Sequence, residues 1–323
     1  MPLDRPITSA GPPGTAAAVP PDARLLAAGA RRRLLRLAGG KALHIGAALS
    51  MMELLAALHT DVLRGRWQAS PPEDATRDRL VLSKGHGAYG LYCVLAELGV
   101  ITGDIAALPG HPSDGIPGID AATGALGHGL ALGAGMALGD RMSGTDRRVA
   151  VVTGDGELNE GTNWEAAQFA AHHRLGNLLL VVDRNGLQQE GRTEEISALE
   201  PLADKWRAFG WRVAGADGHD TAEVASAARE LLDGEGGPAV LIARTVKGRG
   251  VSFLEDDPAW HMGQLGPEQL RDALAETAGP PEAAPASEAA PPPEAGEPGG
   301  RRGTHPGTPP GTGHDTRTTG RPA

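Results

Sequence analysis

The most regular signal along the chain is a set of short, unbroken apolar runs. Val149-Ala150-Val151-Val152-Thr153, Leu178-Leu179-Leu180-Val181-Val182, Arg79-Leu80-Val81-Leu82 and Pro238-Ala239-Val240-Leu241-Ile242-Ala243 place aliphatic residues at consecutive positions. A strand covered on both faces has this pattern, whereas a strand with one wet face alternates. Trp211-Arg212-Val213-Ala214 adds a fifth, less apolar strand. Helical patterns fill the intervals. One runs from Asp22 to about Ala38 on Leu25, Leu26, Leu34, Leu35 and Leu37, with Arg31-Arg32-Arg33 read as its solvated face. Ser50-x-x-Glu53 reads as a capping box opening a second, with Leu54, Leu55, Leu58 and Val62 as its stripe. Others run to about Leu98, to about Arg141, from the Thr162-x-x-Glu165 box to about Leu175, over Pro201 to Phe209, and from Asp220 to Leu232; a last one starts at Gly266-Pro267. Strands and helices in alternation predict an α/β fold, a three-layer sandwich with a mostly parallel sheet flanked by helices.

The chemistry sits where these strands end. Gly154-Asp155-Gly156-Glu157-Leu158-Asn159-Glu160-Gly161 follows one buried run, and Asp183-Arg184-Asn185-Gly186-Leu187 follows the next. In open α/β sheets the carboxyl ends of the strands are where ligands bind. Asp155 and Asn185 offer oxygen ligands for one hard divalent ion, and the glycines allow close approach of backbone to a phosphate. Mg²⁺ keeps phosphate oxygens among its ligands, so a diphosphate is the natural partner. A lone Gly-Asp-Gly would equally fit a Rossmann-like turn whose Asp caps a helix. Four further loops carry histidine: Leu43-His44-Ile45-Gly46, Ser83-Lys84-Gly85-His86-Gly87, Gly110-His111-Pro112 and Trp260-His261-Met262. Ser83-Lys84-Gly85-His86-Gly87 at a helix start makes an anion site, although Lys84 can also be read as a solvated cation.

Asp155 with Asn185 thirty positions on, together with these histidine loops, resembles the transketolase family, and the run from Gly154 to Gly191 looks like the amino-terminal subunit of a split transketolase. The resemblance implies a thiamine-diphosphate-binding fold with Mg²⁺, or Ca²⁺ or Mn²⁺ in its place, on Asp155, Asn185 and Leu187. It implies cofactor contacts from His86, Gly124, Leu126, Gly127, Gly154, Asp155, Gly156, Asn185 and His261. His44, His111 and His261 would then face the sugar, and Glu160 would lie where paired sites are coupled. His128 stands where many full-length transketolases carry Gln, and Lys247-Gly248-Arg249-Gly250 resembles the family's Lys-Gly-x-Gly loop. The implied reaction is transfer of a two-carbon ketol unit from a ketose to an aldose, with sugars or sugar phosphates as substrates. The family's pyrimidine-binding domain has no counterpart here. The subunit is therefore expected to need a separately encoded carboxy-terminal partner, in a heterotetramer of two of each, and to be inactive on its own. Rival readings are a subunit of a 2-oxoacid dehydrogenase or of a deoxyxylulose-phosphate-synthase-like enzyme, and a non-catalytic interaction subunit.

Composition narrows the rest. The formal charge of −10 argues against nucleic acid or an anionic membrane as partner. The chain has one cysteine, Cys93, within an apolar stretch, which suits a reducing compartment and a packed thiol. No apolar run approaches the roughly 20 residues of a spanning helix, and the start lacks signal-peptide order, so a cytoplasmic protein is expected. Residues 1–21 and 278–323, rich in Pro, Gly and Ala, read as disordered, leaving 22–277 as a diphosphate-binding domain. His219, in Asp217-Gly218-His219-Asp220, reads as a turn residue, and the alanines and glycines of 131–139 suit close helix packing, including packing across a subunit interface.

Overall fold

The computed structural model describes residues 22–65 and 76–278. Of the two termini read as disordered, 1–21 and 278–323, all but Ala278 lie outside the described residues. In chain order the elements are α1 (Ala23–Gly40), α2 (Ile45–Leu49), α3 (Met52–Ala57), β1 (Arg79–Leu82), α4 (Ala88–Glu97), α5 (His128–Met142), β2 (Val149–Gly154), α6 (Gly161–His172), β3 (Leu178–Arg184), α7 (Thr193–Ile196), α8 (Leu202–Ala208), β4 (Arg212–Asp217), α9 (Thr221–Asp233), β5 (Ala239–Arg244) and α10 (Pro267–Glu276). Each expected strand is present. All five pair in parallel, in the order β1-β2-β3-β5-β4, so their carboxyl ends share one edge. From β3 the chain passes out to the edge strand β4 and returns to β5 between them.

Unbroken apolar runs are needed because both faces are covered. Ala150, Val152, Leu179 and Val181 join the core formed with α1, α3, α4 and α9. Val149, Val151, Leu178, Leu180 and Val182 join a second core with α5, α6 and α8. The three-layer sandwich follows directly. The small residues of α5 serve this packing: a Cβ on Gly129 would overlap Ser83, and one on Gly133 would overlap Val151. Cys93 is fully buried, and burial pushes its thiol pKa up, as a packed core residue requires. Among the described residues no helix is long and apolar enough to cross a membrane.

Both expected capping boxes are absent. Ser50 ends α2 rather than opening a helix, and its hydroxyl donates to the Ala47 carbonyl and to Asp183. Thr162 lies inside α6 and donates to the Gly127 carbonyl, while Glu160 occupies the N-cap without a capping hydrogen bond. Asp22, Asp220 and Pro267 do take their expected places at helix starts. Arg31 also departs from expectation: it is buried and bonded to Glu53 rather than solvated.

Candidate active site

Parallel strands bring the loops of the motifs to one edge. Asp155, directly after β2, is buried; its Oδ1 accepts from the Gly156 N–H at 2.8 Å and its Oδ2 from the Gly186 N–H at 2.6 Å. Arg184 also donates to Oδ2, at 2.9 Å. Asn185 Oδ1 accepts from the Leu187 N–H at 3.0 Å, so residues 185–187 fold around the carboxylate. The cap-like contact to Gly156 is only one of three that Asp155 makes.

Burial, then the negative charge of Asp183, raise the Asp155 pKa, against the Arg184 guanidinium and the Gly186 N–H. A carboxylate in that position gains from a nearby cation. The Asp155 carboxylate, the Asn185 amide oxygen and the Leu187 main-chain carbonyl are oxygens of the hard kind that Mg²⁺ takes. The described residues contain no cluster of three His, Cys, Asp or Glu side chains able to hold a metal by themselves. A divalent ion here therefore needs a ligand that brings its own oxygens.

The four histidines converge. The ring of His44 lies 5.4 Å from His86, 6.3 Å from His111 and 5.2 Å from His261, centre to centre, and His86 lies 5.5 Å from His261. Paired main-chain hydrogen bonds between Leu43 and Gly263, both 2.9 Å, fasten the His44 loop to the His261 loop. His86 rides the 3₁₀ turn Gly85–Gly87 that leads into α4. The His111 carbonyl accepts from the Tyr92 hydroxyl at 2.8 Å, and a Cβ on Gly124 would meet the His111 ring at 3.5 Å. Four loops far apart in sequence thus share one wall.

Positive charge lines the same wall. Lys247, after β5, donates to the Gln188 carbonyl at 2.8 Å and to His261 Nδ1 at 3.2 Å, which leaves the His261 proton on Nε2. Burial, with Lys84 nearby, lowers the Lys247 pKa to about 8. Burial, Lys247, His44 and Lys84 together lower His261 to about 4. His44 is lowered by burial, His111 and Lys247; His86 is lowered further by burial, Lys84 and its histidine neighbours. These three rings are neutral near pH 7 rather than poised at neutrality. The desolvated Lys247 ammonium gains from an anion, as the buried carboxylate gains from a cation. A metal–diphosphate pair satisfies both.

Two buried hubs tie the motif loops together. Lys84, only 1% exposed, is no solvated cation: it pairs with Asp183, which also accepts from Ser50 and Thr245. Burial works against the Asp183 carboxylate, but Lys84 and these hydroxyls outweigh it and lower its pKa. Glu157 accepts from the Ser83 hydroxyl, the Thr153 hydroxyl at 2.7 Å and the N–H groups of Gly127 at 2.8 Å and Gly154 at 3.2 Å. The N–H groups of Gly127 and Gly154, expected to face a ligand, are thereby engaged internally. Gly127's carbonyl is taken by Thr162 as well, so this residue shapes the turn.

Of the remaining expected residues, Gly124 borders the His111 ring, while Leu126, His128 and Glu160 stay outside this cluster of contacts. Leu126 is 37% exposed; Gly124 and His128 are also exposed, and His128 Nδ1 lies 3.1 Å from the Leu126 carbonyl. Glu160 is exposed at the start of α6. His219 is not a simple turn residue, since it joins Glu53 to the main chain at Val246.

Residues 36–281 match the family described as transketolase, thiamine diphosphate binding domain. The chain is 44% identical, over 69% of its length and 82% of the relative's, to one subunit of the apulose-4-phosphate transketolase of Actinobacillus succinogenes. It is 41% identical to the 6-deoxy-6-sulfo-D-fructose transketolase subunit SqwG of a Clostridium species, covering 72% of this chain and 87% of that one. Transketolase from Leishmania mexicana superposes with a TM-score of 0.70 at 28% identity over 80% of this chain. The chain spans only 41% of that solved protein.

Proposed function

This chain belongs to the transketolase family, and on that premise we propose that it is the diphosphate-holding subunit of a two-component transketolase, moving a two-carbon ketol unit from a ketose to an aldose. The observation that carries this reading is the convergence of His44, His86, His111 and His261 beside Lys247, with the Asp155–Asn185 loop at the same strand edge. Thiamine diphosphate, when bound, supplies a carbon nucleophile and an electron sink for breaking the bond beside a ketone carbonyl. Asp155, Asn185 and the Leu187 carbonyl hold Mg²⁺, or Ca²⁺ or Mn²⁺ in its place. His86, His261 and Lys247 meet the diphosphate, with Gly154 and Gly156 allowing its close approach. Gly124 and Leu126 border the cofactor, and Gly127 shapes their turn. His44 and His111, with His261, hydrogen-bond the sugar and move protons at its oxygens; a neutral His44 offers one donor and one acceptor, and His261, with Nδ1 taken by Lys247, offers its Nε2–H. Glu160 lies free to meet a second subunit.

Ketol transfer is favoured over 2-oxoacid chemistry by the number of such rings, which a polyhydroxylated substrate can use and a small oxoacid cannot. Two similar proteins are named as subunits of enzymes for a sugar phosphate and a sulfo-sugar, which favours an anionic sugar here. The reading extends to a cytoplasmic heterotetramer, two copies of this chain with two of a separately encoded carboxy-terminal subunit. The test has two arms. Thiamine diphosphate with Mg²⁺ at 100 times its dissociation constant raises the unfolding free energy by about 2.7 kcal/mol. Ketose and aldose are turned over only after the cognate carboxy-terminal subunit is added. Turnover by this chain without a partner overturns the two-component reading; absence of cofactor stabilisation even with the partner present leaves an interaction subunit instead.

A further inference from the structure

Buried Arg31 and Glu53 and partly buried His219, all outside the site, are joined in a chain that ends on the loop carrying Lys247. Arg31 of α1 donates from Nη2 to Glu53 Oε1 at 2.5 Å, and Glu53 sits on α3. Glu53 Oε2 lies 3.1 Å from His219 Nδ1, and the Val246 N–H donates to His219 Nε2 at 2.8 Å. An Nε2 that accepts fixes the proton on Nδ1, so His219 donates to Glu53. Arg31 also returns to the same loop, donating from Nε to the Arg249 carbonyl at 3.1 Å. Gly250 has φ +95°, and a Cβ there would stand 2.9 Å from Arg31 Nε, so the loop is closed against the guanidinium. Both sides of Lys247 are thus held by one ionic network, while the Gly248 N–H donates to the Gly46 carbonyl at 3.0 Å, in the His44 loop.

We propose that Arg31, Glu53 and His219 are positioning residues that set the Val246–Arg249 loop so that Lys247 reaches the diphosphate pocket and holds His261 with its proton on Nε2. The proposal rests on the reading of the site as a diphosphate pocket. Stability alone does not account for the network, because a buried ion pair gives little net stabilisation over an apolar packing of equal volume. What it supplies is direction: the two main-chain groups it engages flank Lys247, which touches both Gln188 and His261.

The experiment measures thiamine diphosphate affinity, in saturating Mg²⁺, by titration calorimetry on the full chain, with thermal unfolding of each variant alongside. His219→Leu removes the acceptor for Val246. His219→Gln keeps an oxygen at that position while losing the contact with Glu53. The expected result is affinity weakened about tenfold or more in the Leu variant and recovered in part in the Gln variant, which keeps the Val246 contact but not the Glu53 one, with faster hydrogen exchange at the Val246 amide in the Leu variant than in the Gln variant. Should the Leu variant not fold, His219→Asn replaces it, since its shorter amide reaches Glu53 but not Val246. Equal affinity in folded wild type and Leu (or Asn) variants overturns the proposal, as does a lowered unfolding temperature with unchanged affinity. Failure of the wild type itself to bind, with the carboxy-terminal subunit also present, overturns the diphosphate reading instead, so the two are told apart.

Discussion

At Lys247 the fold places an ammonium group away from water and next to a second buried amine. Burial first, then Lys84, lower its pKa to about 8, against the pull of Asp155 and Asp183. The direction has a measurable consequence. Below about pH 8 the free protein presents a charged Lys247 to an incoming anion. Above it, binding must first return a proton, and an anion that raises the lysine pKa on binding loses up to about tenfold in affinity per pH unit. Thiamine diphosphate affinity, measured by calorimetry between about pH 6.5 and 9.5, is expected to stay flat and then fall above about pH 8. Lys247→Met is expected to bind more weakly throughout and to lack that falling limb, which separates the lysine from any titration of the ligand. His261 follows Lys247: a ring whose Nδ1 accepts from an ammonium resists protonation and keeps Nε2–H available to a ligand oxygen.

Glu157 shows how the elements are tied at the strand edge. It joins Ser83 after β1, Thr153 and Gly154 within β2, and Gly127 before α5. Glu157→Ala leaves several buried donors without an acceptor, and unfolding in urea is expected to show a loss of about 3 kcal/mol or more. Glu157→Gln keeps one acceptor oxygen and should lose less. Sequence patterns made the elements legible, because strand burial on both faces is written locally as consecutive aliphatic residues. The hubs were not legible in the same way. Ser50 has the right chemistry for a helix cap, yet Asp183, 133 positions away, takes its hydroxyl. Thr162 is claimed likewise by Gly127, and Lys84 by Asp183. Glu53 and His219 are 166 positions apart, and neither carries a local signature of the other. The histidine loops could be picked out by their glycines and their family likeness. Their convergence depends on the strand order and on the Leu43–Gly263 contact, which no local pattern encodes.

Across the whole molecule, keeping several histidines neutral in buried and half-buried positions makes stability depend on pH. His59, buried just beyond α3, has its pKa lowered to about 4 by burial, against a hydrogen bond to the Leu55 carbonyl. His261 is lowered to about 4, and His44 and His86 are lowered as well. A histidine depressed below its unfolded value of about 6.5 gives stability that is present above that pH. The stability is lost as the pH falls toward the folded value, because the unfolded chain takes up protons that the folded chain refuses. For His59 alone the loss between about pH 7 and pH 5 is of the order of 2 kcal/mol; the half-buried rings add less, since solvent screens them. Asp155 works in the opposite sense, its raised pKa favouring the folded state as the pH drops, but it is one group against four. Lowered Asp183 and Glu53 carboxylates add a further loss in the more acidic range where carboxylates titrate. The urea midpoint of the ligand-free chain is therefore expected to fall steadily from about pH 7 to pH 5. A midpoint that holds or rises over that range would mean that the histidines are solvated in the free chain and that the dry wall forms only when its ligand binds.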